Sequence, residues 1–439
     1  MQNESSSFRD PSGQVFIADG KYRRLIYPCY MEDYHTLMIS GLYQELTDTN
    51  LLIPHQELSA IGREMIIEPE QVGFISYPYE WCFSMLKEAA INTLIINEIA
   101  LQHGMMLKDA SAFNMQWHKG NMTLIDTLSF MKYQPGMPWG AYPQFLKHFL
   151  APLLLMKYRS PGLARLFLSN LDGITPNLAS KLLPKHLILR PSNLVHLYAQ
   201  SLNVAVNGQK NVKMSKLALN SLLSNLKALV MRLDYKTKSV ITHYSDENSY
   251  TQRALDDKAF KVERLLDIVD GKTLCDIGAN TGFYSRMAAV RGFKVLAVDS
   301  DHDCVNYIDQ TSHIFPLVID ICNPTPAIGW GNTERKSFLE RLHVDVIMAL
   351  ALIHHICIGN NVPLEKVARM LSEHCQKLII EYVPLDDPKA QLLLGKKNIP
   401  AYNIDVFRYE FGQYFTVECE VKIDDSKRIL FLMEVRNGS

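Results

Sequence analysis

Runs of apolar residues along the chain follow two periods, and each run predicts an element. Residues 14–18 and 22–27 are β-prone stretches on either side of Asp19-Gly20, which predicts a hairpin. Residues 34–46 carry apolar positions at helical spacing, and 72–76 is a short β-prone stretch. Residues 85–102 hold Leu86, Ala89, Ala90, Ile91, Leu94, Ile95, Ile99 and Ala100. That broad apolar stripe predicts a helix packed into a core, stopped by Gly104. From 139 to 200 the pattern reads as short helices broken by Pro152, Pro161, Pro176, Pro184 and Pro191.

Beyond residue 255 strand and helix patterns alternate. The spacing predicts helices over 256–269, 283–291 and 364–375, with strands over 273–277, 294–298, 344–349 and 377–382. Alternation at this length implies a mostly parallel sheet covered on both faces, an α/β fold. The runs 416–423 and 428–435 predict a terminal antiparallel pair. The part before residue 200 mixes strands and helices without alternation and reads as α+β.

Composition narrows the class. The chain has 439 residues, 47% hydrophobic and 21% charged, which is ordinary for folded globular protein and enough for two or three domains. A formal net charge of -1 gives no pull towards nucleic acid or an anionic membrane. The eight cysteines form no CxxC pair, so neither a metal site nor a disulfide framework is expected. Scattered thiols fit a reducing, cytoplasmic compartment. The first nine residues are polar, and no apolar run approaches the roughly 20 residues of a membrane span. From 203 to 238 the chain turns basic, with Lys210, Lys213, Lys216, Lys227, Arg232, Lys236 and Lys238 against Asp234 alone, and with a turn signal at Asn207-Gly208. The division expected is a domain over 1–202, a basic linker or connecting helix over 203–239, and a second domain over 240–439.

The most informative segment is Leu274-Cys275-Asp276-Ile277-Gly278-Ala279-Asn280-Thr281-Gly282-Phe283-Tyr284. A buried strand runs into a D-x-G-x-x-x-G turn and then a helix. Gly278 and Gly282 permit tight turning and close approach of a ligand, at the carboxyl end of a strand where open α/β sheets place their sites. The spacing differs from the G-x-G-x-x-G that sets a pyrophosphate on a helix N-terminus. It suits a ligand with a cationic amino-acid end and no phosphate. Asp299 ends the next strand, where a carboxylate can accept both hydrogen bonds of a ribose diol, and Ser300 follows it. Asp320, in Leu317-Val318-Ile319-Asp320-Ile321, stands where an adenine amino group can be read.

Asp276 to Tyr284 with Asp299 and Asp320 resembles the motif series of class I S-adenosylmethionine-dependent methyltransferases, over about residues 240–439. The resemblance implies a Rossmann-like seven-stranded sheet with an antiparallel last strand, and S-adenosylmethionine as cofactor. The binding residues it implies are Asp276, Gly278, Ala279, Asn280, Gly282, Phe283, Asp299, Ser300, Asp320, Ile321 and Ala349. In this family the segment after the fourth strand borders the methyl group, which singles out Met348-Ala349-Leu350-Ala351-Leu352-Ile353-His354-His355. An imidazole there can act as a base near neutral pH. His355 is the candidate, or else caps or packs locally, and His354 reads as local packing, although methyl transfer needs mainly alignment. Glu381, at the end of the fifth strand, is a second catalytic candidate that orients a substrate hydroxyl or amine, or else is structural. Tyr244, Tyr250 and Lys258 are candidates for a lid or for core packing.

The N-terminal part carries a second series. Asp109 stands five positions before Asn114, a hairpin is centred on Lys119-Gly120, and Asp126 ends an apolar strand. Kinases arrange a catalytic Asp, a metal-binding Asn, a hairpin and a metal-binding Asp in this order. The series, with the helix predicted over 85–102 ahead of it, resembles a kinase-like or aminoglycoside-phosphotransferase-like core. Mg-ATP is the cofactor this implies. Departures are plain: Thr127-Leu128 follows Asp126, Leu107-Lys108 precedes Asp109, there is no glycine-rich loop, and Lys21, Arg23 or Arg24 would have to replace the usual strand lysine. Asp109 and Asn114 also read as turn and cap residues.

The two-part arrangement is similar to a bacterial family of two-domain methyltransferases that includes nodulation-type proteins. The leading expectation is methyl transfer to an oxygen or nitrogen of a small molecule, sugar derivative or natural product. Alternatives are a bifunctional enzyme with an ATP-dependent phosphotransferase domain, and an RNA methyltransferase suggested by the basic stretch. Aromatic residues for base stacking are nearly absent from that stretch. The expected partner is a small-molecule acceptor, with neither nucleic acid nor membrane. Oligomeric state is not legible.

Overall fold

The computed structural model describes residues 2–61, 64–189, 196–197, 213–236, 251–311 and 313–436. Asn207-Gly208, Lys210, Lys238, Tyr244 and Tyr250 lie outside the described residues. Two compact units divide the chain: a first unit of Met1–Lys236 with Ala327–Lys336, and a second of Thr237–Pro326 with Ser337–Ser439.

The first unit opens with an antiparallel sheet in the order β1 (Gln2–Asn3), β2 (Gly13–Ala18), β3 (Lys21–Ile26), β5 (Glu64–Pro69), β4 (His55–Ile61). The hairpin of β2 and β3 turns at Asp19 and Gly20, both at positive φ, as the sequence predicts. The helix expected over 34–46 is two helices, Met31–Ile39 and Leu42–Asp48, parted at Gly41 with φ 86. The run at 72–76 forms no strand; β4 and β5 lie before it. The helix Phe83–Gln102 buries residues such as Leu86, Ala90, Leu94 and Ala100. After it come four short strands in two pairs, β6 (Met105–Leu107) with β9 (Phe130–Lys132) and β7 (Met115–His118) with β8 (Asn121–Leu124). The proline-punctuated region forms short helical pieces, including Tyr142–Phe145, Ala151–Tyr158 and Pro176–Leu182.

Within the stretch read as a basic linker or connecting helix, Lys216–Met231 is a helix. It packs on the helix Phe83–Gln102 and buries Leu219, Leu223, Leu226, Leu229 and Val230, while Lys227 pairs with Glu98. It belongs to the first unit. So does the arm Ala327–Lys336, which the sequence places inside the second domain. Its Glu334 carboxylate is buried and accepts Arg9 Nε at 2.7 Å, Arg9 Nη2 at 2.9 Å and the Trp330 N–H at 3.1 Å. The Lys336 N–H donates to the Tyr77 hydroxyl at 3.1 Å, and the Arg335 guanidinium lies 4.8 Å from the centre of the Phe113 ring.

The second unit is a seven-stranded sheet in the order β12 (Phe315–Val318), β11 (Lys294–Asp299), β10 (Thr273–Ile277), β13 (Val346–Ala349), β14 (Lys377–Tyr382), β16 (Ile429–Val435), β15 (Phe415–Lys422). Strands β10 to β14 run parallel, and β16 is antiparallel to both β14 and β15. Every residue of β13, and four of the five in β10, is buried, as expected of strands covered on both faces. The helix Gln252–Ile268 precedes β10, its first turn capped by the Thr251 side chain on the Ala254 N–H. Chain order reverses between β10 and β13, which makes the carboxyl ends of those strands the place where such sheets bind ligands.

Candidate functional site

The sequence after β10 folds as it does because three residues of five take positive φ: Gly278 at 80, Asn280 at 48 and Gly282 at 77. The left-handed region is cheap for glycine and tolerable for asparagine. Space is short as well. A Cβ on Gly282 would lie 3.0 Å from Ile308 Cγ1, and one on Gly278 would lie 3.3 Å from Leu352 Cδ1. The Gly278 and Ala279 N–H groups donate to Val298 O at 2.8 and 3.0 Å, which ties the turn to the end of β11.

Asp299 closes the other side of that tie. Its Oδ2 accepts the Asn280 N–H at 2.8 Å and its Oδ1 the Asp301 N–H at 2.8 Å. The Ser300 N–H adds a third backbone interaction with this carboxylate. Asp276 is buried at the end of β10, with Oδ2 accepting the Ser285 hydroxyl at 2.6 Å. Burial, and then the charge of Asp299, push its carboxyl up to about 7. Among the described residues neither acid has an ion-pair partner. Asp320 follows β12 and accepts the Cys322 N–H at 2.9 Å. The three acids therefore stand on neighbouring strand ends, in the order β10, β11, β12. Ser300 and Phe283 are exposed, Phe283 by 52%, while Ala279 is buried. Ile321 and Ala349 line a small apolar cavity with Ile277, Leu352 and Ile353.

Past β13 the chain turns sharply at Ala351, with φ 50. Its N–H donates to Glu381 Oε2 at 2.8 Å. Glu381 is fully buried at 0% exposure, pairing with Lys258 Nζ at 2.6 Å and Arg428 Nη1 at 3.4 Å. Arg428 Nε also reaches Asp387 at 2.8 Å. Glu381, read from the sequence either as orienting a substrate or as structural, is held inside this ion cluster. Lys258 is likewise part of this buried ion cluster and not of a lid. Neither partner was legible in the sequence, because Lys258 and Arg428 come from distant segments.

His354 is buried, its Nδ1 without a hydrogen-bond partner among the described residues, and burial followed by the charge of His355 pushes it down to about 3. His355 is exposed, begins the single wide turn His355–Gly359, and lies 4.2 Å from His354 between ring centres. Partial burial first, and the charges of Lys389 and Arg428 next, lower its proton affinity below the ordinary value.

In the first unit the second series also gathers. Asn114 Nδ2 lies 3.4 Å from Asp126 Oδ2, and Asp109 is close enough that Asp126, after burial, raises its pKa. The loop between is held from below: Gln144 accepts the Ala110 N–H at 2.7 Å, and buried His148 accepts the Ala112 N–H at 3.3 Å through Nδ1. Those two residues carried no signal in the sequence. Asp126 takes Arg24 as ion-pair partner. Of the three basic residues on β3, Lys21 and Arg23 face Glu68 at 2.6 and 2.8 Å, and strand alternation turns Arg24 the other way.

No family model matches the chain. The chain is 30% identical over 457 residues to the nodulation protein NoeA of Rhizobium meliloti strain 1021, covering 98% of this chain and 95% of that protein. Among solved structures it is similar to the N-methyltransferase NodS of Bradyrhizobium japonicum WM9, at 10% identity and TM-score 0.33 over 42% of this chain and 98% of NodS. The magnesium protoporphyrin IX methyltransferase ChlM of Synechocystis PCC 6803 is similar at 15% identity and TM-score 0.30, over 42% of this chain and 86% of ChlM.

Proposed function

The chain belongs to the family of the nodulation protein NoeA, and from that premise we propose that its second unit binds S-adenosylmethionine and transfers the methyl group to an oxygen or nitrogen of a small molecule, sugar derivative or natural product. The observation that carries this is the turn from Gly278 to Gly282 clamped onto Asp299. It sets the Asp299 carboxylate beside the turn, where a ribose diol can donate to it, and a Cβ at Gly278 or Gly282 would crowd Leu352 or Ile308. The fit of a cationic donor rests on Asp276 and Asp299, two carboxyls that repel each other and, among the described residues, make no close ion pair, the nearby Lys258 being engaged with Glu381. An ammonium or sulfonium group placed beside them relieves that repulsion. The bound donor supplies a methyl group on a positively charged sulfur, ready for direct attack.

The chain's own part is then positional. Glu381, through the Ala351 N–H, fixes the segment that leads to the histidines. His355, exposed and with its pKa lowered, is neutral at pH 7 and able to take the proton that an attacking hydroxyl or amine gives up. The first unit we read as a kinase-like fold that selects the acceptor. Supporting this are the antiparallel sheet, the long helix Phe83–Gln102, and the loop, hairpin and Asp126 in the order kinases use.

Calorimetry with S-adenosylhomocysteine on the full chain and on Asp276→Ala tests the main reading. Binding to the wild type and its loss in the variant are expected; absence of binding to both sinks it. A second reading, a bifunctional enzyme with phosphotransferase activity, is favoured only by the meeting of Asp109, Asn114 and Asp126, and Mg-ATP is the ligand to test for it. Nothing in the helix Lys216–Met231, packed and paired as it is, favours an RNA substrate.

A further inference from the structure

A carboxylate offers about four acceptor positions, two on each oxygen. At Asp126 four donors meet them. Oδ1 accepts the Arg24 guanidinium and the Leu128 N–H, the latter at 3.0 Å. Oδ2 accepts the Ser129 hydroxyl at 2.8 Å and faces the Asn114 amide nitrogen at 3.4 Å. Both charged groups are largely withdrawn from water, with side chains 18% and 10% exposed. A kinase-like site leaves the equivalent oxygens for a metal ion shared with the asparagine, and aims its strand cation at the nucleotide phosphates. Here the strand cation has turned onto the carboxylate itself and occupies the place a metal ion would take. The residues therefore do not fit the divalent cation that the resemblance implies.

We infer that Arg24 is the resident cation at Asp126 and that the first unit takes no divalent metal there. The inference rests on the kinase-like reading of the first unit. It follows that any ligand bound beside Asp126 is held without a metal bridge, and that phosphoryl transfer is not the work of this unit. Burial of Asp126 raises its pKa, and Arg24, Ser129 and the Leu128 N–H more than reverse this, so that the group stays ionised and paired. A metal ion would have to displace a guanidinium already matched in charge and geometry.

The test uses the full chain and Mn2+ alone, read by the electron-paramagnetic signal of the free ion. The wild type is expected to deplete that signal no more than Asp126→Asn or Asn114→Ala does. Arg24→Gln, checked for folding by circular dichroism, is expected to uncover a site binding Mn2+ about tenfold or more tightly, lost again in Arg24→Gln/Asp126→Asn. Capture of Mn2+ by the wild type that disappears in Asp126→Asn overturns the inference, and so does a folded Arg24→Gln that gains no site. If Arg24→Gln does not fold, the comparison of wild type with Asp126→Asn decides alone. Thermal shift with ATP, with and without Mg2+, separates the two ideas. Stabilisation by ATP that needs no Mg2+ supports both. Mn2+ held by Asp126 in the wild type overturns this inference and leaves the kinase-like reading standing.

Discussion

Burial and the neighbouring Asp299 hold the Asp276 carboxyl up at about 7 against its ordinary 3.8. Between those two values the folded chain carries a proton that the unfolded chain has lost. The contribution of this group to stability is therefore full at the acid end and falls as the pH rises through about 7. Urea unfolding of the wild type and Asp276→Asn at pH 5 and pH 8 checks the sign: the asparagine is expected to gain stability relative to wild type at the higher pH. An ammonium group placed beside it, such as the one S-adenosylhomocysteine carries, works in the opposite direction, since it favours the ionised carboxylate. S-adenosylhomocysteine affinity is expected to climb with pH up to about 7 and to level off, with proton release on binding below that point; Asp276→Asn flattens the profile. Gly282→Ala meets both a φ of 77 and Ile308 at 3.0 Å. About 1–2 kcal/mol of backbone strain is expected, with a loss of ligand affinity read by calorimetry. Such residues were legible because turn, strand and acids fall in one short stretch of sequence. Arg24 was legible only as one of three basic residues, since the choice among them depends on which face of β3 meets Asp126.

At the scale of elements, the central strands were read nearly to the residue, as with β10 and β14, because strands buried on both faces are continuous apolar runs. Strand β4 was missed for the opposite reason. It is the edge of its sheet, its residues from Gln56 to Leu58 are exposed, and backbone pairing with β5 defines it without any apolar pattern. The helix Lys216–Met231 was half legible: its lysines advertised a solvated segment, while its leucines on one face find a partner only in the helix Phe83–Gln102. Leu226 is fully buried there, and Leu226→Ala is expected to cost about 2–5 kcal/mol in chemical denaturation, far more than a linker residue would. The ion cluster joining the helix Gln252–Ile268 to β14 makes a similar point. Removing Lys258 strands Glu381 in the interior, so Lys258→Met is expected to destabilise the second unit by about 3–5 kcal/mol. A smaller loss would mean that Arg428 carries the carboxylate alone.

At the scale of the molecule, alternation of strands and helices announced the sheet of the second unit, and no described helix is long and apolar enough to cross a membrane. What the sequence hid was the arm Ala327–Lys336, because nothing local distinguishes ten residues of one unit embedded in the sequence of another. Its anchor is Glu334, and Glu334→Ala removes three hydrogen bonds at once. A loss of about 1–3 kcal/mol is expected for the first unit, read as a lowered midpoint in its own unfolding transition; an unchanged midpoint would show the arm to be dispensable.

The arm also bears on how such a gene can be cut and rejoined. A fragment ending at Lys236 is not the whole first unit, for it lacks Glu334 and leaves Arg9 and the Tyr77 hydroxyl without the partners described for them. A crossover between two related genes at the junction near residue 237 would join a body from one parent to an arm from the other. The pairing of Arg9 with Glu334, 325 positions apart in sequence, is one contact such a crossover would put at risk.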